Sequence, residues 1–454
     1  MSGDGTAGYA GFPPGAGHAV GTLSPEGSTV GPGGSTVGPL SPTQLGMWLH
    51  SQFDRSGRIY LEPHCFVLPP DIDPQRLADA LARAVAAHPA FTGTTERRAD
   101  GVALVLGRHE IPLRIQVVPH DRDADRRREA IERELAEPFV LDGGPLMRCV
   151  LLRDGIQPDL LLIVWHHIVI DGRSMRLFLD DLSRAYQDAS YHPAPPPVTL
   201  CDANAWLQER AQDPQIVAKI SELAASLADV PLVQPRWPAD GAAKAEITAV
   251  RLGPTLTAQL NAASRKTGLL PYSFICTAYQ HALARSLGMD EFLLGCVVAG
   301  RTRPDFQRVA GFFSNTELVR SVAGAEPADL STVRAVQAEL ARAHEQQKDV
   351  PVSALAARLR EGKQNGQKQV TQIILSVGED YSLKMAGQVC EEYELTFPRA
   401  IFDANLVLRA NRDDYHGFFE HKLSVLTADE AAVFVSAFTG TLAALTASGA
   451  APAR

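Results

Sequence analysis

Apolar positions along this chain recur with two periods, and their alternation predicts a mixed fold of helices and strands. Leu45, Trp48 and Leu49 share one face of a helix that Ser41 caps and Pro42 opens. Asp73-Pro74 opens a second helix, with Leu77, Leu81, Ala84, Val85 and His88 at helical spacing. Strands are predicted from Phe91 onward and over Val102 to Leu106. Leu146 to Leu152 and Leu160 to Trp165 read as an antiparallel pair, joined by Arg153 to Asp159. The run Leu160-Leu161-Leu162-Ile163-Val164 has the composition of a strand buried on both faces. After Gly172, the residues Met175, Phe178, Leu179, Leu182 and Tyr186 form one apolar stripe on a further helix, which reads as core.

The second half repeats the alternation. Pro271 to Leu287 reads as a buried helix, and Phe292 to Val298, Val370 to Ser376 and Ala404 to Leu408 as strands. Thr427-Ala428-Asp429-Glu430 is a capping box that opens the last helix. Between the halves, His192 to Val198 carries prolines at 193, 195, 196 and 197. Such a run is neither helix nor central strand, so it is a stiff connector. Residues 1–38 are dense in Gly, Pro, Ser and Thr, with Gly-Ser-Thr-Val-Gly-Pro at 27–32 and again at 34–39. They are expected to be a disordered tail, with order beginning at Leu40. The expected division is therefore a tail over 1–38, an N-terminal lobe over 39–190, a proline-rich linker over 191–199 and a C-terminal lobe over 200–448. A chain of 454 residues exceeds one compact core, in keeping with two α/β sandwiches whose ligand site lies in the cleft between them.

Composition narrows the function classes. The formal net charge of −9, from 43 basic and 52 acidic residues, argues against nucleic acid or an anionic membrane as partner. No apolar run reaches the roughly 18 residues that span a bilayer. No basic start followed by an apolar stretch marks a secretory signal. The cysteines at 65, 149, 201, 276, 296 and 390 stand apart, mostly in apolar runs. They read as reduced, buried thiols of a cytoplasmic protein. No Cys/His or His/Asp/Glu grouping has metal spacing, so no metal is expected.

The candidate chemistry lies in Trp165-His166-His167-Ile168-Val169-Ile170-Asp171-Gly172, which contains HHxxxDG directly after the buried strand. An imidazole can take and return a proton near neutral pH. Asp171 can hold charge or orient a partner, and Gly172 permits a turn or close approach to a ligand. An arbitrary His pair before Asp-Gly reads more simply as a strand end and a turn.

The heptapeptide resembles the active-site motif of the condensation-domain superfamily of nonribosomal peptide synthesis. That superfamily also contains chloramphenicol acetyltransferase and the plant HxxxD acyltransferases. Further segments resemble the family in the same order. Leu40 to Leu49, with Ser41, Gln44 and Trp48, is similar to its LSxxQxxxW opening. Pro145-Leu146-Met147-Arg148 is similar to the strand before the active site, and Gly300-Arg301 with Gly311 to Thr316 to its GR and GxFxNT segments. His344 to Pro351, with Gln347 and Asp349, is similar to its HQDxPF stretch. The chain departs from the family in three places. His88 to Gly93 replaces a His-Glu-x-Leu-Arg-Thr segment, Arg173 stands where many members carry Trp, and Val352 replaces a Phe.

The resemblance covers about Leu40 to Leu445 and implies an α/β fold of two chloramphenicol-acetyltransferase-like lobes in a V, with a tunnel at their interface. It implies no permanently bound cofactor. A carrier protein presents an acyl thioester on phosphopantetheine in trans, and an alcohol or amine acceptor enters from the opposite face. His167 is then the general base or the hydrogen-bonding positioner of the acceptor, and His166 packs and fixes the loop. The Gly172 amide is a candidate oxyanion donor. Asp171 points away from substrate and pairs with Arg301. Asn315 and Ser376 are candidates to line the cleft, or alternatively serve core and turn.

A thioester is already activated, so no covalent intermediate is needed, and no Gly-x-Ser-x-Gly signal is present. The leading expectation is a free-standing condensation enzyme, an ester- or amide-forming acyltransferase of natural-product (antibiotic) biosynthesis, since no adenylation or carrier domain accompanies these residues. Two alternatives remain: an acyl-CoA-dependent acyltransferase, which lacks here the plant-type DFGWG segment, and a catalytically silent module that recruits a carrier.

Overall fold

The computed structural model describes residues 29–30, 35–54, 56–99, 101–120, 125–233, 244–323, 328–361, 370–395, 397–399, 401–411 and 413–450. The first half runs β1 (Thr29–Val30), β2 (Thr36–Pro39), α1 (Pro42–Ser51), β3 (Leu61–Val67), α2 (Pro74–Ala86), β4 (Thr94–Arg98), β5 (Gly101–Leu106), β6 (Leu113–Val117), α3 (Arg126–Ala136), β7 (Met147–Arg153), β8 (Leu160–His166), α4 (Gly172–Gln187) and α5 (Leu200–Gln212). The second half runs α6 (Pro214–Leu227), β9 (Ala245–Arg251), α7 (Gly253–Thr267), α8 (Pro271–Leu287), β10 (Glu291–Val298), β11 (Asn315–Val322), α9 (Leu330–Gln347), α10 (Val352–Glu361), β12 (Ile373–Glu379), β13 (Lys384–Met385), β14 (Gln388–Val389), β15 (Glu391–Glu392), β16 (Ala404–Ala410), β17 (Tyr415–Lys422) and α11 (Ala428–Ala450).

The first lobe is built on a sheet of order β15-β3-β8-β7-β6. Every residue of β8, from Leu160 to His166, is buried. Strand alternation divides its side chains between two layers. Leu161, Ile163 and Trp165 pack with the apolar faces of α2 and α4, whereas Leu160, Leu162 and Val164 pack with Ala130, Ile131 and Leu135 of α3. An all-apolar strand is therefore what this position requires. The second lobe has a mixed sheet of order β11-β10-β12-β16-β17-β9, in which β10, β12 and β16 run parallel. Helices α7, α8 and α11 cover it through Leu260, Phe274, Tyr279, Phe434 and Phe438.

Several expectations need correction. The tail is not featureless up to residue 38: β2 pairs antiparallel with β5, and β1 pairs with β2. The partner strand satisfies backbone groups that the Gly/Pro-rich composition suggested would stay in water. The rest of 1–34 lies outside the described residues. The strand expected from Phe91 starts at Thr94, because Pro89–Thr92 forms a 3₁₀ turn. Pro89 has no N–H for a ladder, and His88 is tied to Asp181 of α4 by a 2.9 Å contact.

The lobe boundaries also differ. Leu200, Cys201 and Ala203 of α5 lie in the first lobe's core, so that lobe does not end at the prolines. The second half moreover sends a segment back. β15 pairs with β3, with Glu391 opposite Val67, and Leu383, Met385 and Cys390 are buried in the first lobe's core. The N–H of Lys384 donates to Ser183 Oγ of α4 at 2.9 Å. Finally, Ala428–Ser448 is a helix long and apolar enough to cross a membrane, although scattered Ser, Thr and Gly hide it from a search for an unbroken apolar run. Here Phe434, Phe438, Leu442 and Leu445 of that helix are fully buried in the second core.

Gly417 of β17 shows how tightly β16 and β17 approach. A Cβ at Gly417 would lie 2.0 Å from the Val407 carbonyl oxygen and 3.1 Å from Leu408 Cα. Gly417→Ala should therefore destabilise the protein by about 1–3 kcal/mol, read as a lower urea midpoint at unchanged slope. An unchanged midpoint would refute this packing.

Candidate active site

The end of β8 delivers two histidines to different environments. The N–H of His166 donates to the Leu146 carbonyl at 2.9 Å, so this residue still belongs to the sheet. Its ring is buried, and Nδ1 accepts from the Ile168 N–H at 3.2 Å. Burial, reinforced by His167, pulls its pKa down to about 3, so the ring is neutral. A neutral ring whose Nδ1 accepts carries its proton on Nε2. His166 thus closes the 3₁₀ turn His167–Val169.

His167 begins that turn, its own N–H bound to the Tyr60 carbonyl at 2.8 Å. Its side chain keeps 29% exposure, and its ring meets Phe312 edge-on at 5.0 Å. Nδ1 is buried and has no hydrogen-bond partner among the described residues, but it lies 3.6 Å from Glu62 Oε1. Burial lowers the His167 pKa below its usual 6.5, Glu62 opposes this, and Arg399 adds to it. The result is a neutral imidazole, partly open to solvent, at neutral pH.

The turn is held from below. Gln44 Nε2 donates to the Ile168 carbonyl at 2.7 Å, and Asn204 Nδ2 donates to Gln44 Oε1 at 2.8 Å. Gln44 also closes the capping box of α1 with Ser41. The polar residues of the opening segment therefore support the histidine loop.

Asp171 is buried and caps α4, its Oδ1 accepting the Ser174 N–H at 2.8 Å. Arg301 grips it in bidentate fashion, Nη1 to Oδ2 at 2.7 Å and Nη2 to Oδ1 at 3.1 Å. The Phe313 N–H adds a bond to Oδ2 at 3.0 Å. Ser174 Oγ accepts from Arg301 Nη2 at 2.8 Å and from the Gly311 N–H at 2.9 Å. Its single proton is shared between Asp171 Oδ1 and the Gly311 carbonyl. Arg301 also donates to the Val309 carbonyl at 3.1 Å and stacks on Phe313 at 4.3 Å. The ion pair expected between Asp171 and Arg301 is thus present. It joins the two lobes, and its charges are consumed by one another.

Gly172 is the first residue of α4, where a backbone N–H has no acceptor within the helix. A Cβ there would meet no atom within 4 Å, so the space beside it is open. A shallow cleft opens between the lobes, with Ser41, Trp206, Gly300, Phe312, Asn315 and Lys348 on its walls. Phe312 belongs both to this cleft and to the His167 ring contact. Asn315 lines the cleft but is engaged in structure: Nδ2 donates to the Val350 carbonyl at 2.7 Å, and Oδ1 accepts from the Val352 N–H at 3.0 Å. Ser376 is half-buried in β12, opposite Val407, and is not on these walls.

Four contributors escaped the reading of the sequence: Glu62, Arg399, Ser174 and Phe312. Ser174 and Phe312 stand in or beside recognised segments, so proximity was a usable signal. Glu62 and Arg399 are 337 residues apart and pair only through the meeting of the lobes. No group of three or more His, Cys, Asp or Glu side chains with metal-binding geometry occurs among the described residues.

Asp171→Ala leaves Arg301 buried without its carboxylate. The expected cost is about 3–5 kcal/mol of stability, seen as a lower denaturation midpoint. A loss under about 1 kcal/mol would mean that the pair is not desolvated as described.

Known proteins share this fold. Surfactin synthase subunit 2 of Bacillus subtilis is 24% identical over 387 residues, which is 84% of this chain and 11% of the synthase. The chain thus spans about a tenth of the length of that relative. The condensation domain of the monacolin K polyketide synthase MokA has a similar structure, with a TM-score of 0.77 at 19% identity over 91% of this chain and 98% of that domain. The X-domain in its complex with OxyB from teicoplanin biosynthesis gives a TM-score of 0.73 at 22% identity, covering 90% of this chain and 93% of that one. The Condensation domain family model matches residues 35–427, and the chain belongs to the condensation-domain family of nonribosomal peptide synthesis.

Proposed function

We propose that this protein is an acyltransferase that moves an aminoacyl or aryl acyl group from the phosphopantetheine thioester of a carrier protein, met in trans, to a hydroxyl or amine of a small acceptor. The observation that carries the reading is His167: a neutral, partly exposed imidazole whose ring meets Phe312 of the inter-lobe cleft wall, on a turn that Gln44 and the Asp171–Arg301 pair hold in place. In this reading the acceptor oxygen or nitrogen attacks the thioester carbonyl and His167 takes its proton. The tetrahedral oxyanion lies near the Gly172 N–H. Collapse breaks the C–S bond, and the sulfur leaves with the proton that His167 returns. An ester or amide and a free thiol result, with no covalent enzyme intermediate. The open space at Gly172 suits a reacting group close to the helix start.

Asp171 is a positioning residue in this scheme, because each of its oxygens already accepts donors from Arg301 and the surrounding backbone. The six cysteines are unpaired and buried, which suits a reducing, cytoplasmic setting.

The test is incubation of the full chain with an aminoacyl carrier protein and a panel of alcohols and amines, with products read by mass. His167→Ala should lower turnover by about 100- to 10,000-fold. Equal use of the acyl-CoA would instead point to a CoA-dependent transferase. Carrier binding without turnover by any acceptor would point to a docking module.

The pH profile gives a second check. A base must be neutral to act, and burial lowers the His167 pKa from 6.5. The rate should therefore stay on its plateau at pH 7 and fall only below pH 6.5. An acid limb centred above that value would contradict the assignment.

A further inference from the structure

We infer that Glu62 is a positioning residue that holds His167 in the tautomer with its proton on Nδ1, and that Arg399 from the second lobe keeps Glu62 in place. The inference rests on the acyl-transfer reading and deepens it. His167 Nδ1 is buried, and Glu62 Oε1, at 3.6 Å, is the carboxylate acceptor beside it, while the Ile170 backbone also favours the protonated ring. A buried N–H left unpaired costs about 1–3 kcal/mol, so a small side-chain adjustment toward the carboxylate is favoured. A proton on Nδ1 leaves the Nε2 lone pair free as the base. The opposite tautomer would set a lone pair against a carboxylate and leave no base on Nε2.

The carboxylate is held for this task. Glu62 is the second residue of β3, the strand that pairs with β8, so its backbone is fixed opposite Trp165. Its side chain forms an ion pair with Arg399 Nη1. Burial alone would raise the Glu62 pKa, but Arg399, then His167 and His64, hold it at about 2. The backbone N–H of Arg399 in turn binds Glu420 of β17. The chain of contacts therefore runs from the second sheet, through Arg399 and Glu62, to the imidazole. The charged or titratable groups acting on His167 are Glu62 from β3, Arg399 from the segment before β16, Asp171 at the head of α4 and the neighbouring His166.

Two kinds of measurement separate this role from simple packing. In the full chain labelled with ¹⁵N-histidine, the ring nitrogens of His167, assigned by difference from His167→Gln, should report a protonated Nδ1 and a bare Nε2. Glu62→Ala should populate the other tautomer and lower kcat by about 100-fold or more with KM little changed. Glu62→Gln keeps an acceptor but removes the charge. It should preserve the tautomer while moving the acid limb of kcat to lower pH, since the carboxylate favours the imidazolium. Arg399→Gln should move that limb to higher pH, because the charge removed disfavours the imidazolium. A wild-type Nε2–H tautomer, or a His167 signal unmoved by Glu62→Ala, overturns the inference. The spectra need no turnover, so failure of every acceptor would sink the acyl-transfer reading while leaving the tautomer result standing.

Discussion

The buried pair of Asp171 and Arg301 is the interaction on which the rest of the site depends. Removing two charges from water is costly, and attraction alone seldom compensates. Here most of the remaining valences are also met, by the Ser174 and Phe313 N–H groups on the carboxylate and by Ser174 Oγ and the Val309 carbonyl on the guanidinium, while Arg301 Nε has no hydrogen-bond partner among the described residues. The pair therefore does three jobs with one set of contacts. It starts α4, it fastens the histidine turn, and it brings the Gly311–Phe313 segment of the second lobe against the first. Phe312, carried on that segment, then reaches the His167 ring.

A second set of ties also joins the two halves of the chain near the histidine. β15 extends the first sheet by pairing with β3, and the residues before it pack against α4. The same region carries a row of polar contacts: Arg399 to Glu62, and Glu392 to His64 and Arg409. Tyr381 sits among them, edge-on to His64 at 5.2 Å and under Arg409 at 4.3 Å. Two electrostatic bridges thus act on His167, both made of one residue from each half of the chain. Neither lobe by itself could set its ring environment.

The charge balance around His167 follows from this. Burial acts against the imidazolium, and Glu62 and Asp171 act for it, while Arg399 acts against it. His166, next in the chain but inside the sheet, is held neutral because burial, reinforced by His167, outweighs the opposing Asp54 and Glu62. Two adjacent histidines differ in chemistry because one ring is buried in the sheet while the other keeps partial exposure and meets Phe312 of the cleft wall.

Much of this was legible in the residues. The buried strand Leu160–His166, the capped helices at Pro42 and Pro74, the largely buried helix Pro271–Leu287 and the capping box at Thr427 are local signals, set by side-chain period and hydrogen-bond caps. Family motifs added the Asp171–Arg301 pairing, because both residues lie in recognisable segments. Other features were decided only by tertiary structure. Composition made residues before Leu40 look disordered, yet β5 supplies Thr36–Pro39 with a partner. Prolines suggested a lobe boundary, yet α5 and the β13–β15 segment pack across it. Glu62 and Arg399 carry no local pattern at all. Periodicity and capping are properties of neighbouring residues, so the chain alone determines them. Partner choice over hundreds of residues depends on which surfaces remain to be buried once the lobes have formed, and only the folded molecule settles that.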